Sequence, residues 1–171
     1  MNVLVRPAEV KDAEAIARVH VKTWQCAYKR IMSDKLLDSL SVEKRTKAWE
    51  EILSKLESDS RTFVAEIVGK VIGFCSIGSC RDENMDQTFG ELWALYVDPD
   101  SINKGAGSAL QKKGLSYLKE KGYKKATLWV LTSNKSAREW YESKGWKLEG
   151  KTKIEDRDGF ELHETRYIIY L

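Results

Sequence analysis

Histidine, proline and cysteine are scarce in this chain, at two, two and three residues of 171, and each scarcity excludes something. His20 and His163 have no cysteine or carboxylate at metal-ligand spacing, so no metal site is expected. Three cysteines cannot all pair, and Cys75 and Cys80 lie five apart in a predicted strand, on opposite faces, which fits reduced thiols in a cytoplasmic protein. Two prolines enforce few breaks, and with 42% hydrophobic residues the chain is expected to fold as one ordered domain over 1–171. No run approaches the roughly 18 apolar residues of a membrane span, and the opening MNVLVRPAEVKD lacks the apolar core of a signal peptide. An excess of one charge is missing too: 29 basic residues face 26 acidic ones, and a net +3 does not point to nucleic acid. The basic stretch QKKGLSYLKEKGYKK reads as the wet face of a helix. No G-x-S-x-G marks a serine hydrolase. An acyl-cysteine route through Cys26, Cys75 or Cys80 is disfavoured because buried thiols are mostly inert.

What is present reads as alternating elements. Asn2 to Arg6 is a short apolar strand stopped by Pro7. From Asp12, Ile16, Val19, His20 and Val21 recur at helical spacing, continuing to Trp24 and Tyr28. A second helix from Ser41 carries Val42, Arg45, Trp49, Ile52, Leu53 and Leu56 on its apolar side. TFVAEIVGKVIGFCSIG predicts two antiparallel strands turning at Gly69 and Lys70. TFGELWALYVD is a third strand, apolar on both faces as the middle of a sheet requires. Ala106, Ala109, Leu110 and Tyr117 form a helix stripe ending near Gly122. KATLWVLT is a buried strand, SNKSAREWYESKG a short capped helix, and the tail gives two strands turning at DRDG. The expected order is βααβββαβαββ: an α/β fold of the mixed, α+β kind, with about seven mostly antiparallel strands and helices on both faces.

The segment DPDSINKGAGSALQKKGL sets two glycines one residue apart where strand turns to helix. A glycine turn at a helix N-terminus presents unpaired backbone N–H groups, and the helix dipole adds partial positive charge, so phosphate is the natural guest. The dinucleotide fingerprint is excluded because Ser108, Ala109 and Leu110 follow Gly107, and a P-loop is excluded because no Lys-Ser/Thr pair follows.

With these residues the chain resembles the GCN5-related N-acetyltransferase superfamily along nearly its whole length. YVDPDSINKGAGSAL is similar to that family's strand and Q/R-x-x-G-x-G/A loop, and NKSAREWYESKGW to its N-x-x-A-x-x-x-Y-x-x-x-G-F segment, with Trp146 where Phe is usual. The resemblance implies acetyl-coenzyme A as cofactor, with its pyrophosphate wrapped by the backbone of Asn103, Lys104, Gly105, Ala106, Gly107 and Ser108. It also implies a bulged strand whose Leu95, Tyr96 and Val97 bind the pantetheine, and a contact from Asn134, which its position also makes a helix cap. Ile102 stands where the family has Gln or Arg, which removes a side-chain contact and predicts weaker binding, with Lys104 nearby as a compensating charge.

By the same resemblance, Tyr141 sits where a phenol protonates the departing thiolate, and Glu91 where some members carry a general base. From the residues alone, Glu91 shares a strand face with Phe89, Trp93, Leu95 and Val97, and a carboxylate among apolar neighbours is expected to have a raised pKa. The implied reaction is transfer of acetyl to a primary amine of a small molecule or peptide by direct attack in a ternary complex. A non-catalytic acyl-coenzyme A sensor is the alternative that Ile102 favours. The acceptor mouth is expected between the first two helices and the loop Arg81 to Gln87. Trp24, Tyr28 and Trp49 supply apolar bulk there, and Asp82, Glu83 and Asp86 favour a cationic amine. No nucleic-acid or membrane partner is expected, and homodimers are common in the family.

Overall fold

A computed structural model of the chain describes residues 2–55, 59–157 and 159–171. Its elements are β1 (Leu4–Pro7), α1 (Ala13–Ala27), α2 (Asp34–Asp38), α3 (Val42–Ser54), β2 (Arg61–Ile67), β3 (Lys70–Ser79), β4 (Phe89–Val97), α4 (Ala106–Glu120), β5 (Lys125–Leu131), α5 (Lys135–Ser143), β6 (Lys147–Arg157) and β7 (Phe160–Tyr170). The expected order holds with one addition, α2. At five residues α2 is too short to display a 3.6 period; the Ser33 hydroxyl caps it by accepting from the Leu36 N–H, and Leu37 is its one buried residue. Of the residues assigned from sequence, Leu56 and the Asp158 of the DRDG turn lie outside the described residues.

The seven strands form one sheet in the order β1-β2-β3-β4-β5-β7-β6, antiparallel except for β4 beside β5. Pro7 ends β1 at the sheet edge, where a missing N–H costs no ladder bond. The β2–β3 turn falls one residue earlier than expected. Ile67 pairs with Lys70, so Val68 and Gly69 form the two-residue loop, both at positive φ (50° and 75°). The ladder, rather than glycine preference alone, selects which residues turn.

Helices α1 and α3 cover one face through Ile16, Ala17, Val19 and Trp49 on Val64 and Phe74. Helix α4 covers the other through Leu110 and Leu118 on Cys75, Ile77 and Leu92. No helix of the described residues is long and apolar enough to cross a membrane.

Two irregularities of β4 prepare the site. The first is a bulge. Ile77 pairs with Leu92 and Ser76 with Ala94, leaving Trp93 as the extra residue. A bulge breaks the alternation of faces, so the common face expected for Glu91, Trp93, Leu95 and Val97 does not form. Leu92, Leu95 and Val97 pack on the α4 side, whereas Ala94 and Tyr96 face α1 and α3. The second is a short ladder. β4 and β5 pair only from Phe89/Lys125 to Glu91/Thr127, then continue unpaired with each other to Val97 and Leu131. They diverge into a V.

Candidate active site

The V encloses a cavity of about 560 Å³, lined from β4 by Glu91, Leu95, Tyr96 and Val97, from β5 by Leu128 and Leu131, from α5 by Ala137 and Tyr141, and from α1 and its C-terminal cap by Trp24 and Tyr28. Asn134 lines it too, while its Oδ1 accepts from the Ala137 N–H at 3.1 Å as the α5 cap. Glu91, Tyr141, Trp24 and Tyr28 therefore line one hollow. Beyond the bulge β4 has β3 on one side only, so its outer N–H and C=O groups face this cavity, the arrangement an extended polar arm can join as an added strand.

At the end of β4 the chain turns tightly. The Asp98 carboxylate accepts from the Asp100 N–H at 3.0 Å and from Lys22 Nζ at 2.7 Å, which ties the turn to α1. Asn103 stands at φ 63°, a left-handed position that asparagine tolerates, and Gly105 follows at φ 85° as the α4 N-cap. With no side chain on this cap, the N–H groups of Ala106, Gly107 and Ser108 have no capping acceptor. They border a second hollow of about 270 Å³, together with Val97, Ser101, Asn103, Gly105 and Trp140. Gly107 is there for closeness: a Cβ on it would lie 3.2 Å from the Trp140 ring. Val97 lines both hollows, so they are neighbours. These donors fit a pyrophosphate group. Lys104 is exposed and does not line the hollow, and Ile102 is 58% exposed.

Tyr141 is half-buried, edge-on to Trp146 and Trp140, and its hydroxyl has no hydrogen bond to a described residue. Burial pushes its phenol pKa up, so it stays protonated through neutral pH. Trp146, in the place of the usual Phe, is buried and its Nε1 donates to Gln111 Oε1 at 3.1 Å, which satisfies the extra N–H.

The surroundings of Glu91 differ from the apolar ones expected. Its carboxylate is buried yet receives the Arg81 N–H at 2.8 Å, Arg81 Nε at 3.3 Å and the second guanidinium nitrogen at 2.6 Å. These three contacts leave about one of its four lone-pair sites open.

The sequence reading missed the contribution of the β6–β7 pair. Glu155, Arg157 and Glu164 line the cleft from the last two strands, downstream of both motifs. Burial raises the Glu164 carboxyl pKa, against the pull of Lys153 at 3.4 Å. The acidic loop is also not the free anionic rim expected. Asp82 accepts from Arg166 at 2.9 Å and from Trp129 Nε1 at 3.1 Å, and Asp86 accepts from the Thr88 N–H. Of the aromatic residues expected at the mouth, Trp24 and Tyr28 do line the cleft, whereas Trp49 is buried against His20, donating to its Nδ1 at 3.3 Å. Burial, and then the charges of Arg45 and Arg157, lower the His20 pKa to about 3.

Residues 20–146 match the acetyltransferase (GNAT) family. The chain is 36% identical over 135 residues, 78% of itself and 75% of the relative, to the uncharacterized N-acetyltransferase YuaI of Bacillus subtilis. Among solved structures it superimposes on the PaiA N-acetyltransferase of Thermoplasma acidophilum in complex with coenzyme A, with TM-score 0.72, 23% identity and the whole of both chains covered. It superimposes likewise on yncA, a putative acetyltransferase of Salmonella typhimurium with its cofactor acetyl-CoA, with TM-score 0.73, 20% identity and 99% and 94% of the two chains covered. The fold is shared with both structures, and the match over most of its length, together with the identity to the Bacillus relative, makes this chain a member of the acetyltransferase (GNAT) family.

Proposed function

We propose that the protein transfers the acetyl group of acetyl-coenzyme A to a primary amine by direct attack in a ternary complex. The observation that carries this reading is the adjacency of the two hollows through Val97: uncapped N–H groups suited to a pyrophosphate adjoin a cleft holding a carboxylate and a phenol. Acetyl-coenzyme A supplies an activated thioester carbonyl. The backbone of Asn103 to Ser108 holds its phosphates, with Lys104 a solvated charge beside them, and the open edge of Leu95, Tyr96 and Val97 holds the amide-bearing arm. The Asn134 side chain keeps α5 in register with that arm.

The acceptor enters past Trp24 and Tyr28. Glu91, held in one orientation by Arg81, accepts the proton of the attacking amine on its remaining lone pair, so nitrogen reaches the carbonyl unprotonated. As the C–N bond forms and the C–S bond breaks, Tyr141 delivers its proton to the leaving sulfur, and the second proton lost by the nitrogen restores the phenol; as a neutral phenol with no other partner among the described residues, Tyr141 is poised to donate.

Calorimetric titration and steady-state assays test both halves. Gly107→Trp, which fills the space beside Trp140, is expected to abolish coenzyme binding while the protein remains folded. Tyr141→Phe and Glu91→Gln are expected to keep coenzyme affinity and lose about 10²–10⁴ in kcat. Tight binding with no turnover on any amine would leave a coenzyme-binding protein and exclude the enzyme.

A further inference from the structure

On the α1 and α3 side of β4 another cavity opens, of about 400 Å³. It shares Trp24, Arg81, Trp93, Ala94, Tyr96 and Arg157 with the cleft, so the two form one hollow with two ends. The ends differ in charge. In the cleft Asp82, Glu91, Glu155 and Glu164 stand beside Lys153, Arg81 and Arg157, whereas the outer cavity shares those two arginines, adds Arg45 and Lys55, and has no carboxylate among the described residues.

Two of those cations already have partners: Arg81 is bound to Glu91 and Arg157 to Glu155. Arg45 has no ion pair with a described residue. It is half-buried on α3, with its guanidinium 5.8 Å from the centre of the Trp24 ring, and Arg157 lies over the same ring at 4.9 Å. A guanidinium partly removed from water by aromatic walls has lost hydration without gaining a counter-charge. Its planar fork matches a carboxylate or phosphate, and the aromatic surroundings strengthen such a bond. His20 beside it stays neutral above about pH 3, so it offers no competing positive charge.

Resting on the acetyltransferase reading above, we propose that the acceptor is a small amine that also carries an oxyanion, a carboxylate or a phosphate, which docks on Arg45 while the amino group lies among the carboxylates of the cleft. Trp24 and Trp93 pack against the body of the molecule between its two charged ends. The expectation of a plain cationic amine, drawn from the acidic loop, is replaced: Asp82 is spent on Arg166, and the open charge at this mouth is positive.

The test compares matched acceptors with the intact protein and acetyl-coenzyme A. Phenylalanine is set against phenylalanine amide, a phosphorylated amino alcohol against the free amino alcohol, and spermidine represents polycations. We expect kcat/KM at least about tenfold higher for the oxyanion member of one pair, the size a charge-assisted bond supplies, and the pair that responds identifies carboxylate or phosphate. Arg45→Gln is expected to bring that ratio near one, chiefly through KM, and Arg45→Lys to leave it intermediate. Lys47→Gln, the same charge change on the exposed side of α3, is expected to leave the ratio as it was. Ratios at or below one, a preference for spermidine, or a ratio that survives Arg45→Gln in a folded protein overturn the oxyanion site and leave the acetyltransferase reading standing. Acetylation of no amine in any arm overturns both.

Discussion

Glu164 has a side chain only 14% exposed, and Lys153 at 3.4 Å does not offset the burial that raises its pKa above 4.5. A carboxyl with a higher pKa folded than unfolded binds its proton more tightly in the native state. Its contribution to stability is therefore greatest at low pH and declines as pH rises from the ordinary value through the raised one. We predict that Glu164→Gln gains stability relative to the wild type as the pH of urea unfolding is raised from about 4 to about 7, with the two nearest each other at the acid end. Parallel curves across that range would show that Glu164 is not ionising against its surroundings. In the sequence nothing singles this residue out. Glu91 and Tyr141, which line the cleft, could be singled out as candidates because each stands at a fixed offset from glycines that mark a turn, so local spacing carries the information. Glu164, Arg157 and Arg45 reach the site through strand register and helix packing, which no local spacing encodes. For Glu91 the strand pattern indicates only a place on β4, and Arg81, ten residues away, decides its chemical surroundings.

Single elements were legible wherever a period of 2 or 3.6 could run its course. Helices of thirteen to fifteen residues such as α1, α3 and α4 met that condition, and five-residue α2 did not. Bulges leave no such trace, since the extra Trp93 looks like any other residue of an apolar strand until the partner strand shows what it fails to pair with. The β2–β3 turn carries a local conflict of the same origin. Both of its central residues must have positive φ, and one of them is Val68, 93% exposed at φ 50°. A β-branched residue held left-handed costs about 1–2 kcal/mol. Asparagine before glycine is the preferred pair for this turn, and Val68 makes too little contact for its loss to matter. We predict that Val68→Asn raises stability by about 1 kcal/mol and the thermal midpoint by about 2–4 °C, with catalytic constants unchanged. A midpoint that falls would mean that the turn is not the one described.

At the scale of the molecule, the sheet is two ladders joined by a weak seam. Strands β1 to β4 form one antiparallel set and β5 to β7 another, and only three residue pairs, beginning at Phe89/Lys125 and ending at Glu91/Thr127, connect them. The α/β class, the strand count and the helices on both faces were legible because they follow from the order of elements. The seam was not, because strand length gives no indication of where two parallel neighbours part. Its consequence is that a ligand lying along the open edge of β4 acts as a missing strand, and binding should stiffen the molecule as well as fill it. A ligand that binds only the native state adds about 2.7 kcal/mol at a hundred times its Kd. For a chain of 171 residues, acetyl-coenzyme A at that excess should raise the midpoint by about 5–10 °C. The distinguishing measurement is amide hydrogen exchange. Protection should increase at Leu95, Tyr96 and Val97 and in the loop from Asn103 to Ser108, and remain as it was in β1 and β2, which the cleft does not touch. A rise in midpoint with uniform protection over the whole sheet would mean that the coenzyme stabilises the fold from elsewhere, and the added-strand account of this cleft would have to be given up.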